Sequence, residues 1–284
     1  MKKWLKITLL ILLAIILLLS IALGAFVYKV KYGFATYETE PHEVSIPAGQ
    51  PAVLVYSKAT GFRHGESITA AEKVFKELGE QNGWFVYVTE DAGIINAGQL
   101  AEFEAVVWNN STGRTLTDEQ RSVVENYVEN GGGMLGVHGA GDDSHYWPWY
   151  NENLLGAKFS HHPIENQLQE TTVMPSEGAD SLLTANIPAS WPHTDEYYVF
   201  FEQPSAKGFN YVYQIDGEEI DANGNILFVS DKDFGMGKTH PVAWSRSVGQ
   251  GQTFYTSLGH NAAAITNEPV VQLLENAVAW MVKE

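Results

Sequence analysis

The sequence predicts an α/β domain, in which helices cover both faces of a mostly parallel sheet, preceded by one membrane-spanning helix. Short apolar strands alternate with amphipathic helices after Pro51, a pattern typical of parallel sheets. Roughly 250 residues follow the apolar N-terminal segment, which is enough for one large α/β domain. The hydrophobic content of 45% supplies the core that such a domain needs.

The N-terminal segment has the features of a membrane signal. Residues 1–6 form a short basic start, and residues 7–28 contain no charged side chain. A helix of that length crosses roughly 30 Å of hydrocarbon. The lysines of the basic start favour a cytoplasmic N-terminus, so the body is predicted to lie outside, in the periplasm or on the cell surface. A cleaved signal peptide, with a site before Ala25, is the alternative, and it also exports the body.

The rest of the chain is predicted to be a linker, residues 29–50, followed by one domain, residues 51–284. Helices are predicted at Ser67–Asn82, Thr117–Asn130 and Pro269–Val282, the second of them with a capping box at its start. The predicted strands are Ala52–Ser57, Trp84–Val88, Ala105–Trp108, Met134–Val137, Leu168–Met174, Tyr197–Glu202, Asn210–Ile215, Asn225–Val229, Pro241–Trp244 and Gln252–Ser257.

Charge and cysteine content exclude several functional classes. The chain has 17 basic and 34 acidic residues, a formal net charge of −17. Such a surface repels phosphate backbones, so nucleic acid is not a predicted partner. The chain contains no cysteine, which excludes disulfides, thiolate metal sites and a cysteine nucleophile.

Polar side chains follow three of the early strands. The first strand leads to Arg63 and His64, the strand ending at Trp108 leads to Asn110, and the strand Met134–Val137 leads to His138 and Asp142. Ligands of open α/β sheets bind beyond the carboxyl ends of the strands. If these strands are parallel neighbours, the three groups share one edge of the sheet.

His138 lies in a stretch that is typical of a sharp turn between a strand and a helix. Glycines flank it at positions 136, 139 and 141, as in the turn that presents the nucleophile of α/β hydrolases. Imidazole at such a turn is suited to acid/base work or to metal binding. A histidine that only hydrogen-bonds a loop is the alternative.

The second half of the chain adds further candidates. These are His162, the pair Asp195-Glu196, and His260, which follows the last predicted strand. A carboxylate beside aromatic rings suits sugar binding, and several imidazoles with a carboxylate suit Zn²⁺ or another divalent ion. The sequence lacks the close spacing of ligands that is typical of zinc enzymes, such as His-Glu-x-x-His. A metal site is therefore one alternative among others. The aromatic run 147–150 either lines a sugar pocket or packs in the core.

These motifs resemble the ThuA-like, or trehalose-utilisation, family from Pro51 to the C-terminus. The matching stretches are SKATGFRH (57–64), WNNSTGRTLTDEQ (108–120), GGGMLGVHGAGD (131–142), LGAKFSHHP (155–163), TDEYYVF (194–200), PVAW (241–244) and GQGQTFYTSLGH (249–260). The resemblance implies a flavodoxin-like fold of the class I glutamine-amidotransferase-like type. It also implies a role in the catabolism of disaccharides and keto-sugars.

The resemblance further implies which residues face a common pocket: Arg63, His64, His138, Asp142, His162, Asp195, Glu196 and His260. His138 stands where amidotransferases carry their cysteine, so a cysteine-dependent amidotransferase reaction is not expected. The family's usual His-Ala-Ala-x-Asp stretch reads His-Gly-Ala-Gly-Asp here, a more flexible loop.

Three functions are compatible with these residues. The first is an exported enzyme that isomerises or cleaves a keto-glycoside, with His138 as acid or base and His64 or His260 as its catalytic partner. Sugar hydroxyls would then contact the substrate-binding candidates Arg63, Asn110, Asp142, His162, Asp195 and Glu196. The second is a hydrolase that holds a Zn²⁺-like divalent metal in the same cluster. The third is a sugar-binding or scaffold module without catalysis.

Overall fold

A computed structural model describes residues 2–224 and 236–282, apart from the side chains of residues 143–145. The first helix, α1 (Lys2–Tyr32), is exposed along its length and has a mean hydropathy of 3.1 in its most apolar part. Its length and composition suffice to cross a membrane, a test that a signal sequence also passes. The helix continues four residues beyond the predicted end of the apolar span, residue 28.

The described part of the domain alternates strands and helices, as predicted. Its further α-helices are α2 (Gly65–Asn82), α3 (Ala97–Leu100), α4 (Asp118–Glu129), α5 (Pro148–Tyr150), α6 (Ala262–Ile265) and α7 (Glu268–Met281). Its strands are β1 (Ala52–Tyr56), β2 (Phe85–Thr89), β3 (Ala105–Asn109), β4 (Gly133–Val137), β5 (Phe159–His161), β6 (Gln169–Pro175), β7 (Trp191–Asp195), β8 (Val199–Phe200), β9 (Asn210–Asp216), β10 (Thr239–Val248) and β11 (Gly251–Thr256). Short 3-10 helices lie at Ala92–Ile94, His138–His145 and Pro204–Lys207, and a π-helix lies at Asn151–Leu155.

The described strands form a nine-stranded sheet in the order β2-β1-β3-β4-β11-β10-β9-β6-β7. The five strands from β2 to β11 are parallel, and the remaining pairs are antiparallel. Gly249, at φ 58°, lies in the two-residue hairpin between β10 and β11, which reverses the strand direction. The predicted fold class is confirmed, and the antiparallel half extends the parallel sheet by four strands.

Helices cover both faces of the sheet, and each face has its own apolar core. On one face, α2 and α7 contribute Phe75, Leu78 and Leu274, all almost completely buried. On the other face, α4 packs through Val124 and Val128. The predicted capping box at Thr117 is present, since its hydroxyl accepts a hydrogen bond from the backbone N–H of Gln120.

In the second half, β6, β9 and β11 lie within one residue of their predicted bounds, but other elements differ from the prediction. The predicted strand Tyr197–Glu202 shortens to β8, which pairs with β5 outside the main sheet. Strand β7, which the sequence did not predict, lies at the edge of the sheet and contains Pro192. Proline is tolerated there because one side of an edge strand needs no ladder hydrogen bonds. The predicted strand Asn225–Val229 lies outside the described residues.

Residues 33–50, within the predicted linker, form neither helix nor strand, yet they are hydrogen-bonded to the domain. The Lys58 ammonium donates to the Thr36 carbonyl oxygen at 2.8 Å, and the backbone N–H of Val44 donates to the Gln99 side chain at 2.6 Å. Gly33, at φ 70°, packs against the loops that follow β1 and β3. The end of α1 is therefore attached beside the carboxyl edge of the parallel strands.

Candidate active site

Four segments converge at the carboxyl edge of the parallel strands. His64 precedes α2 in the connection from β1, and His138 directly follows β4. His260 follows β11, and Glu196 follows β7 of the antiparallel half. One ligand atom from each of these four side chains lies within 4.8 Å of the others, so the group could hold a metal ion. The sheet order thus brings residues from both ends of the domain into one cluster.

His138 is held by its backbone and by one ring nitrogen. Its φ of 40° is in the left-handed region, which is strained for a residue with a side chain. Its Nδ1 lies 2.6 Å from the Ser257 carbonyl oxygen, so Nδ1 carries the proton and donates. The other nitrogen, Nε2, lies 3.4 Å from Glu196 Oε2 and 3.3 Å from His260 Nδ1. This tautomer presents the lone pair of Nε2 to the cluster.

Glu196 is the centre of the cluster and is almost completely buried. Its Oε1 lies 3.0 Å from His162 Nδ1 and accepts a hydrogen bond of 2.6 Å from Gln167. Its Oε2 lies 3.1 Å from His260 Nδ1. Burial by itself would raise the pKa of this carboxyl, but the contacts with His138, His162 and His260 outweigh burial and lower the pKa far below its ordinary value. Glu196 is therefore a carboxylate at neutral pH.

Asp195 is also buried, but its oxygens are fully used inside the protein. They accept hydrogen bonds from His193 Nε2 at 3.0 Å and from the backbone N–H groups of Glu196, Gly259 and His260 at 2.9, 2.6 and 3.0 Å. Burial tends to raise the pKa of Asp195, yet the His193 hydrogen bond and nearby imidazoles lower it overall. Asp195 consequently positions the backbone of two cluster residues and has no lone pair left for a sugar.

The pKa values of His64 and His162 are shifted in opposite directions. Burial and the neighbouring His138 lower the pKa of His64, so this ring is neutral at neutral pH. Burial also acts to lower the pKa of His162, but its hydrogen bond to Glu196 more than compensates, and the pKa is raised. The His162 side chain is 28% exposed and the His260 side chain 17% exposed, so both can be reached from solvent.

Three residues that were predicted to bind sugar, Asn110, Arg63 and Asp142, are not among the four side chains of this group. Asn110, at φ 51°, accepts a hydrogen bond from the Gly139 N–H at 3.0 Å and braces the loop behind His138. The Arg63 guanidinium is paired with Glu90 through contacts of 2.7 and 3.1 Å. Asp142 is half-buried, close enough for its charge to raise the pKa of His162.

Three contributors were not predicted from the sequence. Tyr198 packs its ring 4.4 Å from the His138 ring, and burial raises the pKa of its hydroxyl well above the ordinary value. Gln167 and the carbonyl of Ser257 fix the orientation of Glu196 and His138. Tyr198 lies in the aromatic run 197–201, which the sequence shows. A backbone carbonyl such as that of Ser257 has no signal in a sequence. Trp147 and Tyr150 are buried, which places the earlier aromatic run in the core.

A surface groove lies at the opposite, amino edge of the parallel strands. Glu104, Gly132 and Gln250 line it, and all three precede or begin strands. Ligands of open α/β sheets bind at the carboxyl edge, where the histidine and glutamate cluster lies. We therefore take the cluster as the candidate active site.

Comparison with known proteins agrees with this architecture. The chain is similar in fold to a ThuA-like protein from Bacteroides uniformis ATCC 8492, with a TM-score of 0.65 and 24% identity over 86% of this chain and 96% of the other. It is also similar to a ThuA-like protein from Parabacteroides merdae ATCC 43184, with a TM-score of 0.60 and 17% identity over 82% of this chain and 90% of the other. The search of curated proteins gave no match. The ThuA family, described as trehalose utilisation, matches residues 52–281, and the chain therefore belongs to this family.

Proposed function

We propose that this protein is a carbohydrate-active enzyme that moves a proton on a keto-sugar or keto-glycoside. We also propose that α1 anchors it in the membrane with the domain outside the cytoplasm. The family description, trehalose utilisation, supports a carbohydrate-related role. The basic N-terminus and the exposed apolar α1 support the anchor and its orientation.

One observation carries the chemical part of the proposal: the solvent-accessible imidazole of His162 faces the buried carboxylate of Glu196. His162 Nδ1 lies 3.0 Å from Glu196 Oε1, whereas the other carboxylate oxygen, Oε2, accepts no hydrogen bond from the described part of the chain. A carboxylate at Nδ1 fixes the tautomer in which Nδ1 carries the proton and Nε2 accepts one. The Pro163 carbonyl oxygen, 3.1 Å from His162 Nδ1, favours the same tautomer. His162 Nε2 is thus suited to act as a base.

The reaction follows from the acidity of a C–H bond beside a carbonyl. His162 Nε2 takes the proton, and the electron pair of the C–H bond moves through the new C=C bond onto the carbonyl oxygen. A proton then passes between the two oxygens of the enediolate, and return of the proton from His162 to the former carbonyl carbon isomerises the sugar. Alternatively, the electron pair returns and breaks a glycosidic C–O bond in the β position, and the His162 imidazolium protonates the leaving oxygen.

The buried part of the cluster then faces the oxygen on which negative charge develops. His64, His138 and His260 surround that position, and Tyr198 closes it from water on the His138 side. Glu196 is anionic and His138 Nε2 presents a lone pair, so an N–H donor or a bound cation must supply the stabilisation of that oxygen. The proposal keeps His64, His138 and His260 at the reaction centre, but it assigns proton transfer to His162.

The test uses the full chain in detergent, incubated with 3-keto-trehalose in D₂O and followed by NMR. We expect enzyme-dependent deuterium uptake beside the carbonyl, or release of a monosaccharide. General acid/base catalysis contributes about 10²–10⁴-fold, so His162→Gln should lower the rate by that factor. His42→Gln is the matched control, because His42 lies beside Asp91 rather than Glu196, and it should leave the rate unchanged.

Two results would contradict the proposal. An unchanged rate in His162→Gln would remove this residue from the reaction. Saturable binding of the keto-sugar with neither exchange nor cleavage would replace the enzyme by a sugar-binding module.

A further inference from the structure

We propose that His64, His138, His260 and Glu196 bind one divalent transition metal ion of the Zn²⁺ class. The inference deepens the proposed function, because a cation at this position would polarise the carbonyl oxygen of the keto-sugar. The metal site can also be tested independently of the proposed function, because metal binding can be measured without any substrate.

The distances between the candidate ligand atoms match those of a tetrahedral site. Zinc binds nitrogen and oxygen at about 2.0–2.2 Å, which puts two ligands of a tetrahedron about 3.3–3.6 Å apart. Glu196 Oε2, His138 Nε2 and His260 Nδ1 form a triangle with edges of 3.1, 3.3 and 3.4 Å. One ring nitrogen of His64 lies within 4.8 Å of a ligand atom from each of the other three residues, so His64 is the candidate for the fourth ligand.

Hydrogen bonding among the described residues leaves this triangle incompletely satisfied. Glu196 Oε2 is buried and accepts no hydrogen bond of acceptable geometry from the described part of the chain. His138 Nε2 carries a lone pair and no proton, because the ring proton is on Nδ1. That N–H donates to the Ser257 carbonyl oxygen. An unpaired buried carboxylate oxygen is costly, and a cation would satisfy it together with the imidazole lone pairs.

The surroundings of the four ligands resemble the outer shell of a metal site. Metal-binding histidines usually donate their second N–H to a carbonyl or carboxylate, and metal-binding carboxylates are hydrogen-bonded in turn. His138 has this arrangement with Ser257, and Glu196 has it through its other oxygen, which contacts His162 and Gln167. Asp195 holds the backbone N–H groups of Glu196 and His260. Each of these contacts fixes the direction of a ligand toward one common point.

The type of donor selects the class of metal. Three imidazoles and one carboxylate suit Zn²⁺, Fe²⁺, Ni²⁺ or Cu²⁺, whereas Mg²⁺ and Ca²⁺ prefer sites made of oxygen alone. The chain has no cysteine, so thiolate does not compete for the ion. The site is partly accessible through His260, which leaves a direction from which a substrate oxygen could approach.

The experiment measures metal binding by the full chain in detergent, after removal of bound ions with a chelator. We expect titration calorimetry to show that one Zn²⁺ ion binds per chain. Bound Co²⁺ should give the visible absorption of a four-coordinate site made of nitrogen and oxygen ligands. Changes in the outer shell of metal sites weaken binding about 10–100-fold, so loss of a ligand in Glu196→Gln or His260→Ala should weaken it by at least about 100-fold. His42→Ala is the matched control, because His42 lies beside Asp91 and outside the cluster, and its affinity should be unchanged.

Wild-type protein that binds neither ion would overturn the metal site, whatever the folding of the variants. Equal Zn²⁺ affinity in wild type, Glu196→Gln and His260→Ala would overturn it as well, because the ion would then bind elsewhere. Failure of the two proposals can be distinguished. Deuterium exchange on the keto-sugar by wild-type protein that binds neither ion would refute the metal site and retain the enzyme, whereas stoichiometric Zn²⁺ binding without exchange or cleavage would do the reverse.

Discussion

Replacement of Asp195 by asparagine tests how the cluster is held in place. Asparagine retains Oδ1, which accepts the N–H groups of Glu196 and His260, but it places an NH₂ group where Oδ2 accepts from Gly259 at 2.6 Å and from His193 at 3.0 Å. The Gly259 N–H then faces a donor in a buried position, which costs about 1–3 kcal/mol. The two retained hydrogen bonds lose their charge assistance, at about 1 kcal/mol each.

We therefore expect Asp195→Asn to lower the free energy of unfolding by about 3–5 kcal/mol. For a domain of this size, 1 kcal/mol corresponds to about 2–4 °C, so the expected fall in Tm is about 6–20 °C. The assay is unfolding of the full chain in detergent, followed by tryptophan fluorescence. Because Asp195 positions two candidate metal ligands, the Zn²⁺ affinity of the folded variant should also fall, by about 10–100-fold.

The dependence on pH provides a second readout. The pKa of Asp195 is lowered in the folded protein, so its contribution to stability is complete above the ordinary value of 3.8 and is lost as the pH falls through the depressed value. The asparagine variant should lack this part of the acid destabilisation. Asp216→Asn is the control, since Asp216 forms a surface pair with Lys238 at 3.4 Å and should change the stability by less than about 1 kcal/mol. Equal stability of Asp195→Asn and Asp216→Asn would refute the reasoning.

Three further predictions concern the support of the cluster and of the fold. Gly139→Ala should weaken Zn²⁺ binding, because the added methyl group would lie 2.8 Å from His64 Nδ1; an unchanged affinity would show that the His64 ring can move without consequence. Thr117→Ala removes the N-cap of α4 and should lower the free energy of unfolding by about 0.5–2 kcal/mol, a loss that Thr117→Ser should largely restore. Burial raises the pKa of Tyr213 to about 12, so the folded state loses stability as the pH rises from 10.0 through that value. Unfolding of Tyr213→Phe should depend less on pH in this range than unfolding of the wild type does, and identical pH profiles would contradict the assignment.

Local signals were sufficient to predict the parallel half of the fold. The buried strands β1, β3 and β4 lie within two residues of their predicted bounds, as do helices α2, α4 and α7. The strands are short continuous apolar runs, and the helices have a periodic apolar pattern, which a glycine ends in α2 and a capping box begins in α4. The antiparallel half was less predictable because β7 alternates buried and exposed residues, contains a proline and buries polar side chains. Its pairing with β6 depends on tertiary contacts that no local pattern encodes.

The candidate site was predictable as residue types but not as contacts. The rule that ligands meet the carboxyl ends of parallel strands placed His64, His138 and His260 at one edge. The same rule does not apply to Glu196, because it follows an antiparallel strand, and its place in the cluster came from the resemblance to the family. Arg63 lies close to His64 in sequence, but its pairing with Glu90 could not be foreseen, since Glu90 follows a different strand.

Assembly of the cluster requires both halves of the sheet, and this explains the backbone strain at its centre. The parallel half supplies three imidazoles, whereas the carboxylate arrives from β7, four strands beyond β11 in the sheet. The ring of His138 can meet that carboxylate because the backbone turns at φ 40° directly after β4. A left-handed residue with a side chain costs about 1–3 kcal/mol and persists only where its neighbours hold it. Here the Asn110 side chain binds the next N–H, the Ser257 carbonyl binds the ring, and the Tyr255 hydroxyl donates to the His138 carbonyl oxygen at 2.9 Å. Three contacts from the carboxyl ends of β3 and β11 thus fix the direction of one imidazole, which is expected if that direction serves the chemistry of the site rather than the stability of the fold.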